Sequence, residues 1–164
     1  MYDDRALVGV GGWLAFFVII LAVFTPLRVL ATIGLDLYGD PSVASFYADS
    51  WGAIQAFEWS VAIVTIASAW FLVWRLMKVE TWQTVRLVIG GIWLLSVGLT
   101  FVELIGVSLI GGLPLGKMIA EIGAELVRPF FFSILWTAYF LRSRRVANTY
   151  VREPDQDDVS EIFG

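Results

Sequence analysis

From Ala6 to Leu27 the chain carries no charged side chain. At a rise of about 1.5 Å per residue, a helix of that length crosses a bilayer hydrocarbon core of ~30 Å. A helix at the surface of a soluble domain needs a polar stripe for its solvent side, and this segment has none. Lipid is therefore its expected surrounding. The segment is longer than the apolar core of a secretory signal, and Met1-Tyr2-Asp3-Asp4-Arg5 before it lacks a basic run. It reads as a retained first helix.

The rest of the chain repeats the pattern. Its residues are 59% hydrophobic and only 16% charged, and its mean hydropathy of +0.79 is too high for an ordinary soluble domain. Four apolar helices are expected, over about 11–35, 51–78, 81–110 and 117–146, with Pro26 bending the first. The fold class expected is all-α, a four-helix antiparallel transmembrane bundle occupying residues 1–150. Asp36 to Ser50 reads as an acidic surface connection with room for a short amphipathic helix. Gly111-Gly112-Leu113-Pro114-Leu115-Gly116 breaks helix three from helix four, and 151–164 forms an acidic, flexible tail.

Charge asymmetry sets the expected orientation. Arg5, Arg75, Lys78, Arg86, Arg142, Arg144, Arg145 and Arg152 fall on one side of such a bundle, and Lys117 alone flanks the other. Basic residues are retained in the cytoplasm, so both termini are expected there. Trp13, Trp51, Trp74 and Trp82 stand near the helix ends, where an indole keeps its N–H wet and its ring among acyl chains. Trp93 and Trp136 lie deeper and read as packing residues.

Several function classes are excluded or left without support. The chain has no cysteine and no histidine, which removes disulfides, thiolate chemistry and the usual zinc and haem ligands. A net charge of -4 argues against nucleic acid as a partner. No phosphate loop, nucleophile elbow or paired-histidine motif is present. The expectation is a non-enzymatic protein that needs no metal and no cofactor.

The informative residues are the charges inside the apolar lengths. Arg28, Glu58, Glu103 and Arg128 each occupy a different expected helix. Counted from Trp13, Arg75, Arg86 and Arg142, they lie at depths of ~22, ~25, ~25 and ~21 Å. A charge unpaired in hydrocarbon costs at least ~2.5 to 3.5 kcal/mol, so opposite charges at one depth read as an ionic layer. Glu125, three residues before Arg128, can join it. Two readings stay open. Three carboxylates against two guanidiniums would raise one glutamate's pKa and suit it to carry a proton. Alternatively the arginines cross-link the helices or reach the outer interface by snorkelling. Arg142, Arg144 and Arg145 form a second cluster, read as a cytoplasmic stop-transfer signal or an anionic-lipid contact.

Two segments carry a resemblance. Gly11-Gly12-Trp13-Leu14 opens the first helix, and Tyr139-Phe140-Leu141-Arg142-Ser143-Arg144-Arg145-Val146-Ala147-Asn148-Thr149-Tyr150 closes the fourth. Together they resemble an uncharacterised bacterial inner-membrane family, domain of unknown function 2569 (DUF2569). The resemblance implies a multi-pass protein of the bacterial inner membrane with four helices, and it implies no reaction or ligand.

The expected role is an accessory or assembly subunit of a larger membrane complex, with membrane lipids and other membrane subunits, or further copies of itself, as partners. Small residues at Ala62, Ala67, Ala69, Gly90, Gly91 and Gly98 suit close helix packing. The alternative is a small proton- or ion-coupled transporter or channel that uses Glu58 and Glu103.

Overall fold

The computed structural model of the protein describes residues 8–150; the side chains of residues 36, 48, 121, 122, 124 and 125 lie outside that description. So do Arg5, Arg152 and the acidic tail.

The described chain is all-helical, and it is organised as long rods. The first rod joins α1 (Trp13–Ile19), a π-helical turn (Ile20–Phe24) and α2 (Thr25–Tyr38). The Thr25 hydroxyl donates to the Ile20 carbonyl at 3.0 Å, five residues back, which fits the wider winding of that turn. The second rod is α4 (Trp51–Lys78), with Arg75 and Lys78 in its last turn, where cations complement the helix dipole. The third joins α5 (Trp82–Trp93), a second π-turn (Leu94–Gly98) and α6 (Leu99–Gly111). It stops at Gly112, whose φ of 66° is left-handed, and the Leu113 N–H closes back on the Ser108 carbonyl at 3.0 Å. The fourth is α7 (Leu115–Arg142).

Two short elements complete the chain. The Asp36 to Ser50 connection holds α3 (Pro41–Tyr47), so much of it is helical. The last rod ends at Arg142 instead of running on to 146, because Ser143 turns extended and its hydroxyl accepts the Val146 N–H, starting α8 (Arg144–Thr149).

Three rods are long and apolar enough to cross a membrane among the described residues: Trp13–Leu35, Trp51–Lys78 and Trp82–Gly111. They mark the chain as a multi-pass membrane protein. The fourth rod differs in carrying Lys117, Glu121, Glu125 and Arg128 through its first half.

The rods do not pack evenly along their length. At one end, here called basal, all four meet around Leu14, Phe17, Leu72, Leu76, Val85, Val88, Trp136 and Phe140. Trp136 lies 4.5 Å from the Phe17 ring, and Phe17 meets Phe140 edge-on at 5.1 Å. The second core, at the distal end, is Ile33, Leu37, Ile54 and Ala62, with Tyr47, Trp51 and Ile110 against it. Among the described residues, the fourth rod contributes none to it. Among the described residues of 115–132 none is buried, whereas Ser133, Trp136 and Phe140 are. All four rods share the basal core, while α7 runs beside α6 farther along with its described side chains of 115–132 at least partly exposed.

Candidate functional site

The basal end gathers the two segments that open and close the helical region. Gly9 and Gly12 have φ of 81° and 56°, a left-handed backbone that turns residues 8–12 across the end of the bundle. The Gly9 N–H donates to the Thr149 hydroxyl at 2.9 Å, and that hydroxyl donates to the Arg145 carbonyl at 2.7 Å. The Arg145 guanidinium covers Gly11 so closely that a Cβ there would stand 2.7 Å from Nη1. Tyr150 is fully buried, and its hydroxyl donates to the Leu76 carbonyl at 2.8 Å. Burial, then Glu80, then Tyr139 raise the phenol's pKa, so it stays protonated. Arg75 stands one residue before Leu76, and its Nε is buried with no hydrogen-bond partner among the described residues.

Polar side chains stitch the rods together deeper in the bundle. Trp70 Nε1–H donates to the Ala22 carbonyl at 3.1 Å. The Ser96 and Ser133 hydroxyls lie 2.6 Å apart between the third and fourth rods, and Trp93 Nε1–H donates to the Thr137 hydroxyl at 3.1 Å. None of these pairs is visible as a motif. The signals available were Pro26, which denies Ala22 its helical donor, and small hydroxyl residues inside apolar lengths.

The charges that the sequence places in one layer separate in height. A Cβ on Gly91 would meet the Leu72 side chain, and one on Gly106 would meet the Phe57 ring, which fixes one antiparallel register between the second and third rods. In that register Glu58 stands opposite Ile105, within about 3 Å of the height of Glu103. Both glutamates are half-buried. The Ser96–Ser133 and Trp93–Thr137 pairs likewise bring Arg128 within about 3 Å of the height of Glu103, with the Glu125 backbone alongside. Arg128 is exposed.

Arg28 is offset from this level. The Trp70 contact to Ala22 and the Trp59 contact to Tyr38 set it near Thr65, about two turns from Glu58, and it too is exposed. The Glu125 side chain lies outside the described residues. Outside the spans, burial and then Glu58 raise the pKa of Tyr47, whose ring stacks on Trp51 at 6.4 Å, so this phenol senses the Glu58 charge.

Of the second predicted cluster, Arg142 and Arg144 are exposed, and Arg145 is half-buried in the basal contact. Among the described residues, no group of three acidic side chains is placed to hold a metal ion. No curated protein and no solved structure matches the chain. A family model described as "Protein of unknown function (DUF2569)" matches residues 7–151, from the edge of the glycine turn to just beyond Tyr150. Nearly the whole chain is covered, and the protein belongs to the DUF2569 family.

Proposed function

We propose that the protein is a non-enzymatic accessory or assembly subunit of a complex in the bacterial inner membrane, spanning it four times with both ends in the cytoplasm. The orientation is supported by the basal Arg75, Lys78, Arg86, Arg142, Arg144 and Arg145, against Lys117 alone at the distal end.

The exposed described side chains in the distal half of α7 carry the reading. No described residue of 115–132 is buried, and Ile119, Val127, Phe130 and Phe131 are exposed beside Arg128. A guanidinium facing hydrocarbon costs ~2.5 to 3.5 kcal/mol, which a neighbouring helix bearing a carboxylate or a free carbonyl would offset. A partner at this face would also supply the packing that the first rod does not.

The test is mild-detergent purification of the tagged protein from its native host, followed by mass spectrometry of stoichiometric companions. The reading expects a defined partner that is lost on Val127→Arg, while the basal core keeps the variant folded. Recovery of a lone monomer or a bare homo-oligomer would overturn it.

A second reading, proton- or ion-coupled transport, is favoured by one observation, the common height of Glu58, Glu103 and Arg128. Carboxylates grouped within a span are a means of passing protons. Flux in reconstituted vesicles should then disappear in the combined Glu58→Gln and Glu103→Gln variant, and flux that persists there excludes these residues.

A further inference from the structure

Between the third and fourth rods lies an open groove of about 330 Å³ on the outer surface of the bundle, lined by Trp93, Ile134, Thr137, Ala138, Leu141 and Arg142. Its walls are apolar. Among its polar groups, the Trp93 indole N–H donates to the Thr137 hydroxyl at 3.1 Å, and Arg142 lies in the lining toward the basal end. Along α5 the face of Trp93 continues through Gly90 to Arg86, positions three and seven residues earlier. A Cβ on Gly90 would meet nothing within 4 Å, so the channel stays open in that direction. Arg86 and Arg142 are both exposed and stand at the basal ends of neighbouring rods.

We propose that this groove binds an anionic phospholipid, one acyl chain lying over Gly90 and Ala138 and the phosphate headgroup held between Arg86 and Arg142. The occupant follows from the chemistry of the two parts. A slot walled by Trp93, Ile134, Ala138 and Leu141 accepts a hydrocarbon chain, and two guanidiniums at its mouth favour a phosphate that carries net negative charge over a zwitterion. The slot opens sideways along the rods, as an acyl chain runs in a bilayer. The inference rests on the membrane placement of the fourth rod proposed above, and it is independent of any partner at the distal end.

The experiment reconstitutes the full chain in phosphatidylcholine vesicles with a trace of phosphatidylglycerol that carries a diazirine on one acyl chain. Cross-linked positions are then mapped after illumination. Labelling is expected to concentrate on Gly90 to Trp93 and Ile134 to Leu141, to saturate, and to be displaced by unlabelled phosphatidylglycerol far better than by phosphatidylcholine. Gly90→Leu, whose Cβ would meet nothing within 4 Å, should reduce labelling there several-fold. Arg86→Gln and Arg142→Gln should keep acyl labelling but lower the preference for the anionic lipid about fivefold each. Labelling at Ile134 and Leu141 that both lipids displace equally, or that Gly90→Leu leaves unchanged, overturns the groove while the fourth rod keeps its membrane placement. Absence of labelling throughout 131–141, with the first three rods labelled, overturns that placement as well.

Discussion

The indole N–H of Trp70 donates to the carbonyl of Ala22 at 3.1 Å, and Pro26, four residues beyond Ala22, has no N–H to offer that carbonyl. A proline in the first rod is thus repaired from the second rod, beside the π-turn that bends the chain. Trp70→Phe keeps the ring and removes the donor. Reversible unfolding in a bilayer-mimetic should show a loss of about 0.6 to 1.7 kcal/mol, the range for polar contacts between membrane helices. Adding Pro26→Ala to that variant should recover part of the loss, because residue 26 regains its N–H. A loss from Trp70→Phe that is the same with and without the Pro26→Ala change would show that the carbonyl is not the cause.

Tyr150 closes the basal end through the Leu76 carbonyl. Tyr150→Phe should cost about 1 to 3 kcal/mol, because a buried acceptor loses its donor. The phenol's folded pKa is raised above its ordinary 10.0, so its contribution is complete below pH 10 and is lost as pH rises through the folded value. Limited proteolysis after Tyr150 should accelerate at high pH in the native chain. In Tyr150→Phe the rate should be higher at neutral pH and should rise less.

Ser96 and Ser133 share a 2.6 Å contact, and each hydroxyl also reaches a carbonyl of its own helix, Ile92 and Pro129. Ser133 is fully buried. A double-mutant cycle of Ser96→Ala and Ser133→Ala should give a coupling of about 0.6 kcal/mol. Strict additivity would mean that the hydroxyls act only on their own helices.

Asp40 starts α3 by accepting the Ser42 N–H at 2.8 Å, with Pro41 at the first helical position. That hydrogen bond lowers the carboxyl pKa below 3.8, with the Ser42 side chain adding to the effect. The cap is therefore fully formed at neutral pH, weakens once pH falls below 3.8, and is lost as pH passes through the lower folded value. The protection of the Ser42 amide relative to its intrinsic exchange rate should fall over that acid range in the native chain and be low at every pH in Asp40→Ala.

The helical rods were legible in the amino-acid order because a membrane helix must satisfy its backbone within itself, and apolar length alone reveals such a segment. The second rod, Trp51–Lys78, has the bounds expected for it, and the third differs by one residue at each end. The break at Ser143 was not legible, since a serine that caps a new helix looks like any serine among arginines until the Val146 N–H turns to it. The family resemblance rested on Gly11 to Leu14 and the closing segment Tyr139 to Tyr150, which meet where the Arg145 guanidinium covers Gly11.

Counting along each helix gave every charge within the apolar lengths nearly one depth, because it treated the rods as straight and level. Height depends on register and tilt, and those come from pairs such as Phe57 with Gly106 and Trp70 with Ala22. Such pairs keep Glu58, Glu103 and Arg128 near one level and lower Arg28 by about two turns. By itself, the sequence determined that the chain is helical and enters a membrane, since those follow from local apolarity. Only the tertiary structure decided that all four rods share one core at the base and that a second, distal core forms around Ile33, Leu37, Ile54 and Ala62, because burial of a helix face depends on which neighbour reaches it.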